Sequence, residues 1–110
     1  MANTPTAIDV YWRPGCGFCM ALDRQLNRLG VPMDKHNIWE DQDAAAFVRQ
    51  HANGNETVPT VHIGSSVLVN PTPNEVLQTM QAEVPDLVPE GVEAPGQGAV
   101  GRTMRRLLGG

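Results

Sequence analysis

Cys16 and Cys19 are the only cysteines of the chain, and Cys16-Gly17-Phe18-Cys19 sets two thiols one helical turn apart at the join of an apolar strand and a helix. Three chemistries use such a pair. A zinc site would take it as half of a four-ligand shell, with His36, His51 and His62 left to supply the rest, although their positions show no metal-like pairing. A structural disulfide would close a loop of only four residues, which constrains little of the unfolded chain. Redox exchange needs a reactive thiolate. The start of a helix provides free backbone N–H groups and the positive end of the helix dipole, both of which stabilise charged sulfur. The strand–turn–helix setting therefore favours thiol–disulfide chemistry.

The two sulfurs are expected to differ. Cys16, at the very start of the helix, is expected to be exposed and acidic, and so to be the nucleophile. Cys19 lies one turn further on, in an apolar stripe with Leu22, Leu26 and Leu29, where burial keeps a thiol protonated and suits a resolving role. Arg13, three residues before Cys16, either adds positive potential near the sulfur or is a solvated loop charge. Val58-Pro59, just before a strand-like run, is the second informative site. It is either a cis X–Pro bond marking a tight, specified turn or an ordinary trans proline that opens a strand.

The elements that must hold these residues follow from pattern. Residues 7–12 (A-I-D-V-Y-W) form a β-branched and aromatic run that suits a buried strand, broken by Pro14-Gly15. A helix follows on the stripe of Cys19, Leu22, Leu26 and Leu29. Gly30 suits its C-terminal cap and Pro32 prevents continuation. Residues 31–38 are a weaker strand. Asp41, Gln42 and Asp43 open a second helix over about 44–51, where the dipole favours acids, and Asn53-Gly54 ends it. Residues 57–63 (T-V-P-T-V-H-I) read as a strand, 64–66 as a turn and 67–69 as the return strand of a hairpin. Thr72-Pro73-Asn74-Glu75 combines a capping box with proline at the first helical position, and Val76, Leu77 and Met80 give that helix its apolar face. The expected class is α/β, a four-stranded mixed sheet with three helices in the order β-α-β-α-β-β-α.

Composition bounds the rest. A chain of 110 residues, 41% hydrophobic and 5% aromatic, has room for one domain with an aliphatic core. The division expected is a redox domain over 1–84 and a mobile, Pro/Gly-rich tail over 85–110. The end of that tail sets Arg102, Arg105 and Arg106 beside Met104, Leu107 and Leu108. Such an end can dock on an acidic partner surface or be simply solvated. The net charge of −4 argues against nucleic acid as a partner. No apolar run approaches the roughly 18 residues of a membrane span, and the first residues lack a signal-peptide layout. The chain therefore reads as cytoplasmic, a reducing setting in which a lone C-x-x-C is more often catalytic or metal-binding than structural.

At this point the residues resemble a family. Cys16-Gly17-Phe18-Cys19 after a strand, Thr57-Val58-Pro59-Thr60-Val61 some forty residues later, and Asn70-Pro71-Thr72 before the last helix are similar to the glutaredoxin-like proteins, and among them to the actinobacterial mycoredoxins. The resemblance spans about residues 7–80, including A-A-x-F-V…N-G-N-x-T-V-P-T-V. It implies a thioredoxin fold, Cys16 as nucleophile, and Pro59 in cis beside the active site. The Val58 peptide would then offer backbone hydrogen bonds to the cysteinyl part of a bound thiol, as strand addition does for peptides. Arg13, Phe18, Val58, Pro59 and Thr72 are the candidate groove residues; Phe18 could equally be packed core, and Thr72 only a helix cap.

Departures from the glutathione-dependent pattern move the implied thiol. Arg13 replaces the lysine often found before the motif, C-G-F-C replaces C-P-Y-C, and Asn70-Pro71 replaces a double glycine. The implied co-substrate is mycothiol rather than glutathione, with no bound cofactor and no metal. The implied partners are mycothiolated proteins and, indirectly, an NADPH-dependent mycothiol disulfide reductase, acting on a monomer. The Trp-Ser-Gly-Phe-Arg-Pro segment of the NrdH-type redoxins is absent, which counts against direct reduction by thioredoxin reductase. A rival reading is cluster carriage. C-G-F-C differs by one atom at Cys19 from the C-G-F-S of monothiol glutaredoxins, which hold an iron–sulfur cluster between two subunits through the first cysteine and a small thiol.

Overall fold

A computed structural model describes residues 6–92. Strands β1 (Ile8–Trp12), β2 (Met33–Asn37), β3 (Thr60–Ile63) and β4 (Ser66–Val69) alternate with helices α1 (Gly17–Arg28), α2 (Gln42–His51) and α3 (Pro73–Glu83) in the expected order. The sheet runs β2-β1-β3-β4. β1 pairs in parallel with β2, while the β1–β3 and β3–β4 pairs are antiparallel. The sheet is therefore mixed, and its one parallel pair is the one bridged by a crossover helix, as parallel pairing requires.

β1 reads as a nearly continuous apolar run because both faces of the sheet are covered there. Ile8 and Val10 join Leu22 and Leu26 of α1, Val61 and Ile63 of β3, and Val76, Leu77 and Met80 of α3 in the larger core cluster. Tyr11 points the other way, into a smaller cluster with Ile38, Ala44, Ala45, Val48 and Ala52. Helices α1 and α3 thus share one face and α2 takes the other. β2 (M-D-K-H-N) is the polar edge of the sheet, which is why its sequence signal is weak.

Two boundaries differ from the sequence reading for local reasons. β3 begins at Thr60 rather than at residue 57, because Pro59 has no N–H to give to the ladder. α2 begins at Gln42, since the Asp41 carboxylate caps it by accepting from the N–H groups of Asp43 and Ala44. The aperiodic composition that starts at Pro85 does not mark the end of packing. Pro85–Leu87 forms a 3-10 turn, and Leu87, Val88 and Val92 lie against the larger core. Those apolar residues are too sparse for a periodic pattern, but each reaches the edge of the core. The basic end of the chain, with Arg102, Arg105 and Arg106, lies outside the described residues. Among those described, no helix is long and apolar enough to cross a membrane.

Candidate active site

The parallel pairing of β1 and β2 sets Trp12 opposite Asn37, so both chains leave the sheet at the same end. The N–H of Ile38 donates to the Trp12 carbonyl at 2.9 Å and ties the two exits together. In an open α/β sheet, ligands bind beyond the carboxyl ends of such strands. Gly15, at φ +78°, makes the reversal that a side chain would resist, and α1 starts immediately after it.

Cys16 is the N-cap of α1. Its backbone is extended, and its Sγ accepts from the N–H of Cys19 at 3.1 Å. That contact takes the place of the oxygen that Ser, Thr, Asp or Asn normally brings to a cap. The first turn of α1 contains no acid, so the positive end of the dipole stays available to the sulfur. The two cysteines are joined as a disulfide, with their Cα atoms 5.2 Å apart.

The expected exposure of Cys16 is corrected here: it is 5% exposed, close to the 3% of Cys19. The capping contact and the disulfide turn its sulfur inward, and a second segment covers it. The Val58 carbonyl oxygen lies 3.7 Å from Cys16 Sγ across 42 residues of sequence. In the reduced state the S–H can donate to that oxygen. The Val58-Pro59 bond is cis, and Pro59 is fully buried. The loop is held from both sides, by the Thr60 hydroxyl donating to the Thr57 carbonyl at 2.7 Å and by the Asn70 N–H donating to the Pro59 carbonyl at 2.7 Å. Asn70 adopts φ +53°, a conformation that asparagine tolerates.

The other sequence-derived candidates fall as follows. Phe18, 72% exposed, is not core. Thr72 caps α3: its Oγ1 accepts from the Glu75 N–H at 3.1 Å, and the Glu75 carboxylate accepts from the Thr72 N–H at 2.8 Å. The guanidinium of Arg13 lies over the ring of Trp39 at 5.6 Å and donates to the Pro14 carbonyl at 3.1 Å. Sequence reasoning passed over Trp39, although a large apolar side chain just beyond a strand, followed by Glu40 and Asp41, was a usable signal.

On the flank of α1, Cys19 also lines a cavity of about 200 Å³ with Val10, Trp12, Met20, Asp23 and Lys35; Asp23 and Lys35 pair at 2.9 Å. The histidines are engaged elsewhere. His36 contacts Asp9 at 2.9 Å, His62 lies 3.8 Å from the same carboxylate, and His51 Nδ1 is 3.1 Å from the Phe47 carbonyl. Among the described residues, no group of three or more His, Cys, Asp and Glu side chains is placed to hold a metal ion.

The glutaredoxin family model matches residues 8–68. The chain belongs to the glutaredoxin family. Proteins described as glutaredoxins from two strains of Mycobacterium tuberculosis are 37% identical over 71 residues, covering 64% of this chain and 84% of each relative. Among solved structures, a thioredoxin-like protein superposes with a TM-score of 0.59 at 22% identity, over 66% of this chain and 97% of that one. The solution structure of a Brucella melitensis glutaredoxin gives 0.54 at 20% identity, over 78% and 92%. A buckwheat glutaredoxin–glutathione complex gives 0.51 at 18%, over 74% of each chain. These three share the fold. The protein is thus a glutaredoxin-family thiol oxidoreductase built on a C-x-x-C pair.

Proposed function

We propose that this glutaredoxin reduces mixed disulfides between protein cysteines and mycothiol, with Cys16 as nucleophile. The observation that supports it most is the position of Cys16 Sγ, which takes the capping hydrogen bond of α1 while facing the Val58 carbonyl. A thiolate there is stabilised by the helix terminus, and a cysteinyl thiol lying along the Val58-Pro59 edge meets it with backbone partners. The three departures at Arg13, C-G-F-C and Asn70-Pro71 favour mycothiol over glutathione. The matched relatives from Mycobacterium tuberculosis agree with the actinobacterial resemblance. Glutathione is the competing thiol, since it is the ligand of the buckwheat relative in its complex.

The Cys16 thiolate attacks the mycothiol sulfur of the mixed disulfide. The protein sulfur leaves as a thiolate and takes a proton, and mycothiol stays on Cys16. A second mycothiol thiolate then attacks the bound mycothiol sulfur, which frees Cys16 and forms mycothiol disulfide. Alternatively Cys19, once deprotonated, attacks Cys16 Sγ, expels mycothiol and leaves the Cys16–Cys19 disulfide. An NADPH-dependent reductase returns mycothiol disulfide to the thiol. Glutaredoxin potentials of about −200 to −230 mV let such exchange run close to the thiol pool. The chemistry is assigned to residues 1–84, acting as a monomer in the cytoplasm.

One coupled assay tests the reading. NADPH consumption is followed with mycothiol and its reductase, with glutathione and its reductase, and with thioredoxin reductase alone. Mycothiol is expected to support the fastest turnover; equal or faster turnover in either other arm overturns the proposal.

A further inference from the structure

The geometry points to Trp39 as the residue that selects the non-reacting half of the co-substrate, by stacking on an uncharged, hydroxyl-rich sugar ring. This rests on the mycothiol reading above. Mycothiol carries its reacting N-acetylcysteine on a glucosamine–inositol unit, whereas glutathione ends in two carboxylates.

Three observations converge on Trp39. It is 63% exposed, so most of its indole is free to meet a ligand. It is also pre-positioned. Its backbone N–H donates to Asn37 Oδ1 at 2.9 Å, the Asn37 carbonyl accepts from the backbone N–H groups of both Glu40 and Asp41 at 3.1 Å, and Asp41 caps α2 directly afterwards. The backbone beneath the indole is therefore fixed at both ends, so only the side-chain torsions remain to be ordered on binding. Finally, it stands at the exit of β2, and Arg13, which lies over its ring, stands at the exit of β1 just before Cys16. The guanidinium covers one face of the indole and leaves the rest open at the sheet end where the reactive sulfur lies.

The electrostatics favour a neutral ring over a carboxylate. Trp39 is followed by Glu40, Asp41 and Asp43, three carboxylates against the one guanidinium of Arg13 that lies over its ring. An anionic tail meets like charge there, whereas hydroxyl groups can donate to carboxylates. The indole face is the negative part of its quadrupole, and the slightly positive C–H faces of a sugar ring are suited to it.

The test uses the purified full-length protein and one peptide carrying a single cysteine, blocked in turn by mycothiol, by N-acetylcysteine and by glutathione. The first two share the reacting half; N-acetylcysteine lacks the sugar and ends in a carboxylate in its place, so each variant is compared with the parent on the same peptide. Trp39→Ala is expected to raise KM for the mycothiol-blocked peptide severalfold with kcat little changed, and to leave the N-acetylcysteine-blocked peptide unaffected. Trp39→Phe should recover most of the loss, since an aromatic face remains. Equal losses on both peptides would make Trp39 structural and overturn the inference, as would no loss on either. The unsubstituted protein separates the two levels: if it turns over the glutathione-blocked peptide as well as the mycothiol-blocked one, the underlying reading fails. If it prefers mycothiol and Trp39→Ala keeps that preference, only the role of Trp39 falls.

Discussion

Helices α1 and α3 open with the same contact and use it for different ends. At α3, Thr72 Oγ1 accepts from the N–H three residues on, at 3.1 Å. At α1, Cys16 Sγ accepts from the N–H three residues on, also at 3.1 Å. Around Thr72 the sequence adds everything that stabilises a helix start: Pro73 at the first position, and Glu75 returning the bond and placing an acid against the dipole. Around Cys16 it adds none of these. Gly17 and Phe18 follow, and no acid stands in the first turn. The same terminus satisfies its backbone and discharges its dipole internally in α3, while in α1 it leaves the dipole for the thiolate charge that the proposed reaction needs on Cys16.

The sharpest way to break that comparison is Cys16→Ser. Serine caps as well as threonine does, so the unfolding free energy of the variant, compared with the reduced protein in urea, should stay within about 0.5 kcal/mol. Reduction of a mycothiol-mixed disulfide should vanish, because an alkoxide does not form there at neutral pH. Cys19→Ser, by contrast, should retain that reduction, since a second thiol can resolve the intermediate. Equal loss in both variants would mean an obligatory dithiol route.

The next effect is on stability. Thr72→Ala should cost about 1 kcal/mol in urea unfolding and leave the Cys16 thiolate untouched. A raised KM at unchanged stability would instead assign the hydroxyl to the thiol groove. Smaller again is Gly17→Asp, which makes α1 resemble α3. A Cβ at residue 17 meets nothing within 4 Å, so the change should fit. An acid at that point contributes about 0.3–1 kcal/mol against a nearby thiolate. The Cys16 pKa, read from thiolate absorbance, should then rise by a few tenths of a unit, and exchange at neutral pH should slow accordingly.

The smallest effect concerns an acid at the opposite end of α3. Glu83 sits where the dipole opposes it, yet its carboxyl is held below its usual value by the Ser65 N–H and by the Ser65 and Ser66 hydroxyls. A lowered carboxylate pKa contributes stability that is complete above the unfolded value of 4.5 and fades as pH falls through the folded one. The difference in thermal midpoint between the parent and Glu83→Gln should be visible at pH 7 and absent in strong acid. A difference that persists there would show that the hydrogen bonds do not depend on the charge.

What was legible in the sequence is what neighbouring residues decide. Thr72 to Glu75 spelled out a helix start, the stripe from Cys19 to Leu29 gave α1 its buried face, and Gly64 with its serines marked the hairpin turn. That Cys16 would open α1 and Cys19 lie one turn inside it could be read from their place on one helix. The burial of Cys16 could not, because the carbonyl that faces it comes from Val58, 42 residues away. The same holds for Trp39, whose partner Arg13 is its neighbour only because β1 and β2 run in parallel, and for Leu87, Val88 and Val92, whose packing has no local signature.

The bond from the Asn70 N–H to the Pro59 carbonyl has a consequence for anyone grafting specificity onto this scaffold. The two walls of the proposed thiol groove are joined, so exchanging Asn70-Pro71 for a double glycine would loosen the carbonyl behind Pro59 as well as change the loop itself. A cassette that moves the proline loop and the 70–72 segment together would keep their fit, whereas either one alone would lose the bond between them.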